Sequence, residues 1–290
     1  MGKSREIKKR MKAVGNIRRI TRTMQMIATA KFSAAQQRAT AGKPYAESLF
    51  GLVAELAGGD GIDHPLLREA SSDGRELTLV ITSDRGLCGP YNGSLLRTTL
   101  RHFRASPAAS AGDVEVVGKK GAGVLKFNKI DVSTHHVHFG DKPAIEDIHA
   151  LAESYIEQFV AGEVASVKII YMRYISAGKQ TPEVLTLLPF TAPENDADES
   201  ASGRTEQFEF SPSAGELLNT LLPAAVKATL VQVFSDAIVS EHVARMVAMK
   251  AATDNASKMG KLLTRDYNRA RQAQITTELT EIISGAAALE

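Results

Sequence analysis

From Val239 onward, apolar or small residues recur at Val239, Val243, Met246, Met249, Ala252, Ala256, Met259, Leu263, Tyr267 and Ala270, in steps of three and four. That spacing is a coiled-coil seam. It predicts one helix from about Ser213 to Leu289, which at 1.5 Å per residue would be roughly 110 Å long. The only other stretch of comparable period is at the opposite end of the chain, at Ile7, Met11, Val14, Ile17, Ile20, Met24 and Ile27, continued by Leu49, Leu52, Val53 and Leu56. That helix would be roughly 80 Å long. The two ends are therefore expected to form one antiparallel coiled coil that carries an α/β side domain between them. The C-terminal helix is the longer, so its tip must stand alone or be sheathed by other subunits. Pro44 should bend or break the first helix and Pro223 should kink or restart the second, since proline removes a backbone bond and clashes with the preceding turn.

Ser4 reads as the N-cap of the first helix, and Gly58-Gly59-Asp60-Gly61 with His64-Pro65 as its end. The pattern then changes. Glu76 to Ser83 reads as a buried strand, and Asp84-Arg85-Gly86-Leu87-Cys88-Gly89-Pro90 as a turn into a helix at about Asn92 to Arg104. Val114 to Gly118 is a second strand, and Lys119-Lys120-Gly121-Ala122-Gly123 leads into a short helix. A third strand over Ile130 to Phe139, a helix over Ala144 to Val160 and a strand over Val167 to Tyr174 complete the alternation. It predicts a Rossmann-like, mostly parallel sheet covered by helices. Val184 to Leu188, ahead of Pro189, reads as an antiparallel edge strand, and Phe208 to Phe210 as a last short one beyond the polar, acidic loop Pro193 to Gly203. Ser211-Pro212-Ser213 caps the final helix. The expected division is a coiled-coil helix over 1–58, the α/β domain over 59–210 and the long helix over 211–290.

With Lys+Arg 35 against Asp+Glu 33, the fold as a whole is not a nucleic-acid polycation. The charge is unevenly placed. Lys3, Arg5, Lys8, Lys9, Arg10, Lys12, Arg18, Arg19 and Arg22 make the first turns basic, a face that is either simply solvated or reserved for a partner. The lone Cys88 excludes an internal disulfide and a cysteine metal cluster. No apolar run approaches the ~20 residues that span a bilayer, and no apolar core follows the basic N-terminus as in a signal peptide. Met1-Gly2-Lys3-Ser4 imitates a myristoylation start, but Glu6 sits where Ser or Thr is wanted. The expectation is a soluble protein, or one peripheral to a membrane through partners.

Candidate chemistry is sparse. The Asp84 to Gly89 turn is where an α/β enzyme would hold a phosphate, yet it lacks the Gly-x-Gly-x-x-Gly spacing, and the chain has no Gly-x-x-x-x-Gly-Lys-Ser/Thr loop. Cys88 reads as a small buried residue at a tight turn. His135, His136 and His138 cannot all converge on a metal from one strand and have no accompanying carboxylate pattern, so a solvated strand is expected. No Gly-x-Ser-x-Gly elbow or His-Glu-x-x-His pair is present, and no catalytic, cofactor or metal residue is assigned. The tip says more. Gln272 to Leu289 carries charge only at Glu278 and Glu281, with Ile275, Leu279, Ile282, Ile283, Ala286, Ala287, Ala288 and Leu289 spread around the helix. It should be surrounded by other protein, either docked statically in an oligomer or free to turn in a sleeve to which it makes few directional bonds.

Ser240-Glu241-His242-Val243-Ala244-Arg245-Met246-Val247-Ala248-Met249-Lys250-Ala251-Ala252-Thr253-Asp254-Asn255-Ala256 and the run from Tyr267 to Ala286 resemble the gamma subunit family of F-type ATP synthases. So do Ile20 to Lys31 and the mid-chain Ser83-Asp84-Arg85-Gly86-Leu87-Cys88-Gly89; the departures are Pro90-Tyr91, Pro223 and the acidic loop. The resemblance implies a non-catalytic rotor inside a hexamer of alpha and beta subunits, with the three catalytic sites on beta. It implies that Arg271, Gln272 and Thr276 contact a beta loop, that Met24 lies beside the moving lever of beta, and that Arg10, Arg18 and Arg22 meet acidic lever segments. Ile275, Leu279, Ile282 and Ile283 would form the bearing in the hexamer. The side domain would grip epsilon and the c-ring, with no nucleic acid bound and no direct membrane insertion. The lone cysteine and the lack of a transit peptide point to a bacterial type on the cytoplasmic face of the plasma membrane. Two rival readings are a static adaptor binding RNA through the basic first helix, and a small-molecule enzyme using the Asp84 to Gly89 turn.

Overall fold

The computed structural model describes residues 2–57, 64–68, 74–191 and 214–287. The expected Gly58 to Gly61 turn, the acidic loop 193–203, the strand 208–210 and the cap 211–213 lie outside them. The chain forms two compact units, one of residues 1–30 with 245–290 and one of residues 31–244.

Two helices run through both units: α1 (Gly2–Ala57) and α6 (Ala214–Ala287). Neither proline breaks its helix, contrary to the break that Pro44 and the restart that Pro223 suggested. A mid-helix proline costs about 3 kcal/mol, and burying a few aliphatic side chains at about 1.5–3 kcal/mol each outweighs that. Ala46, Leu49 and Val53 follow Pro44 into the core, and Leu222, Ala225 and Val226 flank Pro223 there. Leu52, expected in the seam beside Val53, is exposed instead. Ser4 is not a cap, because α1 already includes it. By length and composition α6 is also apolar enough to cross a membrane, against the sequence expectation. Leu218, Leu222, Leu230, Val233 and Phe234 of this helix are buried in the core of the second unit.

The second unit holds the α/β domain. Its strands are β1 (Glu76–Ile81), β2 (Asp113–Val117), β3 (Thr134–His136), β4 (Ser166–Ser176) and β5 (Lys179–Leu188), in the order β3-β2-β1-β4-β5. All pairs are parallel except the β4–β5 hairpin. The connecting helices are α2 (Tyr91–Ala105), α3 (Pro107–Ala111), α4 (Lys119–Phe127) and α5 (Ile145–Val160). One face of the sheet packs Leu77, Leu79 and Ile169 against α5, α6 and the second half of α1. The other packs Val80, Val116 and Ile170 against α2, α3 and α4. β1 is buried on both faces, so the polar Glu76 and Thr78 are carried inside along with Leu77, Leu79, Val80 and Ile81.

Each end of β1 is pinned by a polar group. At the C-terminal end the Thr82 hydroxyl donates to the Val117 carbonyl (2.8 Å) and accepts from the Gly121 amide (2.9 Å). This approach needs glycine: a Cβ on Gly118, at φ 90°, would fall 2.3 Å from the Thr82 carbonyl oxygen. At the other end Glu76, 2% exposed, accepts from His102 (2.6 Å), Lys168 (2.8 Å) and Thr78 (3.0 Å). Burial pushes the Glu76 carboxyl up, but the hydrogen bonds and charges of His102 and Lys168 outweigh it and hold the group down at about 2, against an ordinary 4.5. The depressed value makes this a contribution present above pH 4.5 and lost as pH falls toward about 2. Its size is on the order of 3 kcal/mol. Urea denaturation at pH 7 and pH 3 should show the loss, and Glu76→Gln should flatten that part of the profile; an unchanged acid limb in the variant would remove Glu76 from the account.

Candidate partner-contact surface

In the first unit α1 and α6 lie antiparallel. Ser4 Oγ donates to Gln274 Oε1 (2.9 Å) near one end, and Thr253 Oγ1 donates to Thr21 Oγ1 (2.8 Å) further along. On α6 the buried or half-buried positions after Met249 are Ala252, Thr253, Ala256, Ser257, Gly260, Leu263, Tyr267, Ala270 and Gln274, alternating in steps of three and four from Gly260 on. Met259, expected in this seam, is exposed, and Gly260 takes its place.

The larger correction is on α1. Ser4, Ile7, Met11, Val14, Gly15, Thr21, Met24, Gln25 and Ala28 are the buried or half-buried positions, while Ile17, Ile20 and Ile27, expected in the seam, are exposed at 52%, 59% and 51%. The reason is angular. Met11, Val14, Ile17 and Ile20 are three successive steps of three residues, which at about 100° per residue carry the stripe half a turn round the helix. Alternating steps drift by only about 20° per heptad. Past Val14 the contact is therefore filled by Thr21, Gln25 and Ala28 beside Met24, and Ile17, Ile20 and Ile27 face outward.

The residues assigned to partner contact fall into two groups. Arg18 and Arg22 share an exposed side of α1, with Arg10 on the same broad face and paired to Glu6 (2.6 Å). Met24 is half-buried. On α6, Arg271, Gln272 and Thr276 are exposed, and the Thr276 hydroxyl donates to the Gln272 carbonyl (3.0 Å). Beyond Gln274 every described residue of α6 is exposed, including Ile275, Leu279, Ile282 (68%) and Ile283 (67%). The outer isoleucines of α1 were missed by sequence reasoning; the run of threes was the signal that could have found them.

The second unit holds the polar clusters. In the Ser83 to Gly89 turn, Ser83 Oγ donates to the Arg85 carbonyl (2.8 Å) and Asn92 Nδ2 donates to Ser83 Oγ (2.6 Å) and to buried Cys88 Sγ (3.3 Å). Ser83, Cys88 and Asn92 of α2 thus bond one another inside it. The Asp84 carboxylate caps α4 at the Lys119 amide (3.1 Å). Asp141, Glu241 and His242 bring one ligand atom each within 4.8 Å of one another. The Lys31 ammonium already hydrogen-bonds Asp141. Burial alone would raise that carboxyl, but Lys31, His242 and Arg85 hold it below its ordinary value. Burial pushes Asp236 up to about 6 in a groove of ≈ 760 Å³ between α1, β4, β5 and α6. The expected solvated histidine strand is only three residues long, and His136 is not solvated. Its Nε2 lies 2.8 Å from Glu115 of neighbouring β2, whose Oε2 also accepts from the Tyr155 hydroxyl (2.6 Å). The carboxylate missing from the local sequence comes from the adjacent strand.

The family model described as ATP synthase matches residues 3–289. The ATP synthase gamma chain of Rhodopirellula baltica is 40% identical over 295 residues, and that of Leptospira biflexa 41% over 291, each covering 100% of both chains. Among solved structures, a chain of the Euglena gracilis mitochondrial ATP synthase OSCP/F1/c-ring assembly matches with a TM-score of 0.65 at 18% identity, covering 99% of this chain and 95% of that one. A chain of the Tetrahymena thermophila mitochondrial ATP synthase central stalk/c-ring matches with a TM-score of 0.56 at 21% identity, covering 80% and 99%.

The seam can be tested in the chain alone. Ala28, 1% exposed, has no room for a larger side chain, so Ala28→Leu should destabilise by about 1–3 kcal/mol. Ile20→Ser on the outer face should stay within about 0.5 kcal/mol. Thermal melting of both variants checks this, and the reverse order would mean that the helices meet on the isoleucine side.

Proposed function

The chain belongs to the ATP synthase gamma chain family, and from that premise we propose that it is the central-stalk rotor of a proton-translocating ATP synthase. It turns inside a hexamer of alpha and beta subunits and couples proton flow to ATP synthesis or hydrolysis on beta, without holding nucleotide itself. One asymmetric shaft in a threefold ring touches the three beta subunits differently, so their sites differ at any moment. The observation that carries this reading is the end of α6. Residues 275–287 continue past the last pairing with α1, exposed and apolar, with charge only at Glu278 and Glu281. Such an end needs protein on every side, and few charges leave few directional bonds to resist turning.

In this reading Ile275, Leu279, Ile282 and Ile283 run against the hexamer. Arg271, Gln272 and Thr276 contact a beta loop, Arg271 through charge-assisted hydrogen bonds. Arg10, Arg18, Arg22 and Met24 face the moving lever of beta, and the exposed Ile17, Ile20 and Ile27 add apolar area beside them. The chain then works as an arm (1–58), a foot on epsilon and the c-ring (59–210) and a shaft (211–290). The named relatives are bacterial gamma chains, which supports a place on the cytoplasmic face of the plasma membrane, peripheral through the complex and without direct insertion.

Co-expression with candidate alpha and beta subunits should yield one assembly with fewer copies of this chain than of beta, active in ATP hydrolysis. Failure to co-purify would sink the proposal. In that assembly Arg271→Ala should lower coupled ATP turnover by roughly ten- to a hundredfold, the loss of a charge-assisted hydrogen bond worth about 1.5–3 kcal/mol. Gln272→Ala should act in the same direction, and neither should change the melting temperature of the isolated chain. Met24→Lys should lower the protons pumped per ATP; full activity in all three would take these residues out of the contact.

A further inference from the structure

The outer helical face of the α/β domain is rich in cations, with carboxylates only at its edges, Asp84 at the start of α4 and Asp131 just past Lys129. α2 presents Arg97, Arg101 and Arg104, four and three residues apart on one exposed side. α4 and the turn after it present Lys119, Lys120, Lys126 and Lys129, all exposed. No Asp or Glu occurs from Arg85 to Gly112 or from Val116 to Ile130. The two helices pack side by side on one face of the sheet, through Leu95, Phe103 and Leu125. Among the described residues none of these cations forms an ion pair; Arg97 donates only to Ser94 Oγ (3.1 Å). Beside Lys126 stands Phe127, 86% exposed.

Helix stability accounts for only part of this charge. Arg104 and Lys126 sit in last turns, where a cation complements the helix dipole. Lys119 and Lys120 sit in the first turn of α4, where the dipole opposes them.

We infer that this face docks on an anionic lipid surface, with the Phe127 ring at the level of the headgroups. The cations are spread over two helices rather than converging, and none lines the groove described above, so the matching anion is extended rather than compact. Single-stranded nucleic acid would need a row of aromatic platforms, and this face has one ring. An exposed aromatic among lysines is what a headgroup boundary accommodates. Each cation near an anionic leaflet strengthens binding roughly fivefold, and salt screens the attraction within about 10 Å at 0.1 M, so the contact is loose and salt-labile. The inference rests on the charge of this face and its exposed ring, and stands or falls separately from the rotor reading.

Flotation of the full chain tests it, with vesicles of phosphatidylcholine alone and of phosphatidylcholine containing one-third phosphatidylglycerol. Binding should require the anionic lipid and fall as salt rises. R101E/R104E/K126E/K129E should weaken it by more than roughly a hundredfold at an unchanged melting temperature. If the combined variant fails to fold, R101E and K126E singly should each lose roughly fivefold or more. K8E/K9E/K12E, on the basic face of α1, should keep most of the binding. Equal binding to neutral vesicles, loss only in the α1 variant, or no effect of the α2 and α4 reversals would overturn the inference. So would tighter binding to single-stranded RNA than to vesicles, abolished by the same four reversals.

Discussion

A pair of long helices can bury only the positions that stay on one side as each helix advances, and this constraint decides which side chains of the first unit remain available. Here Thr21 and Ala28 of α1, and Thr253, Ala256 and Gly260 of α6, lie along the contact. Residues this small bring little apolar area. The hydroxyl pair and the Ser4–Gln274 bond add direction instead, since shifting one helix along the other would strand their donors and acceptors. The bulky residues left over, Ile17, Ile20 and Ile27, become surface.

The second unit obeys a different constraint, because its central strand has no wet face. Thr82 at one end of β1 and Glu76 at the other carry polar groups into that dry environment, and each is met by several partners from different elements. Lys31 of α1, Asp141 and His242 of α6 form another such knot, joining elements far apart in sequence. No buried side-chain nitrogen or oxygen among the described residues lacks a hydrogen-bond partner. The polar groups within this domain thus fix relative positions as well as adding stability.

Most of the architecture was legible. The buried β1, the glycine-marked turns and the length of the terminal helices each follow from local physics that tertiary contacts reinforce. What failed did so for identifiable reasons. Ile17 and Ile20 were placed in the seam by counting apolar residues without tracking angle. The prolines were expected to interrupt helices because propensity is local, whereas Leu49 and Val53 on one side and Leu222 and Val226 on the other are held by the core. His136 was read as solvated because its partner, Glu115, is 21 residues away and adjacent only once the sheet forms. The outward side of the contact surface was least legible, since an exposed isoleucine and a buried one look alike in sequence.

The last turns of α6 form a single helix where the preceding turns are doubled. Two helices bonded along their length resist bending far more than one, so compliance concentrates in the lone segment, which behaves as a soft cantilever on a stiff beam. A load applied sideways at the extremity would be absorbed as curvature and transmitted poorly. In the proposed rotor, mechanical work enters or leaves where the helices are doubled, and the extremity centres the beam.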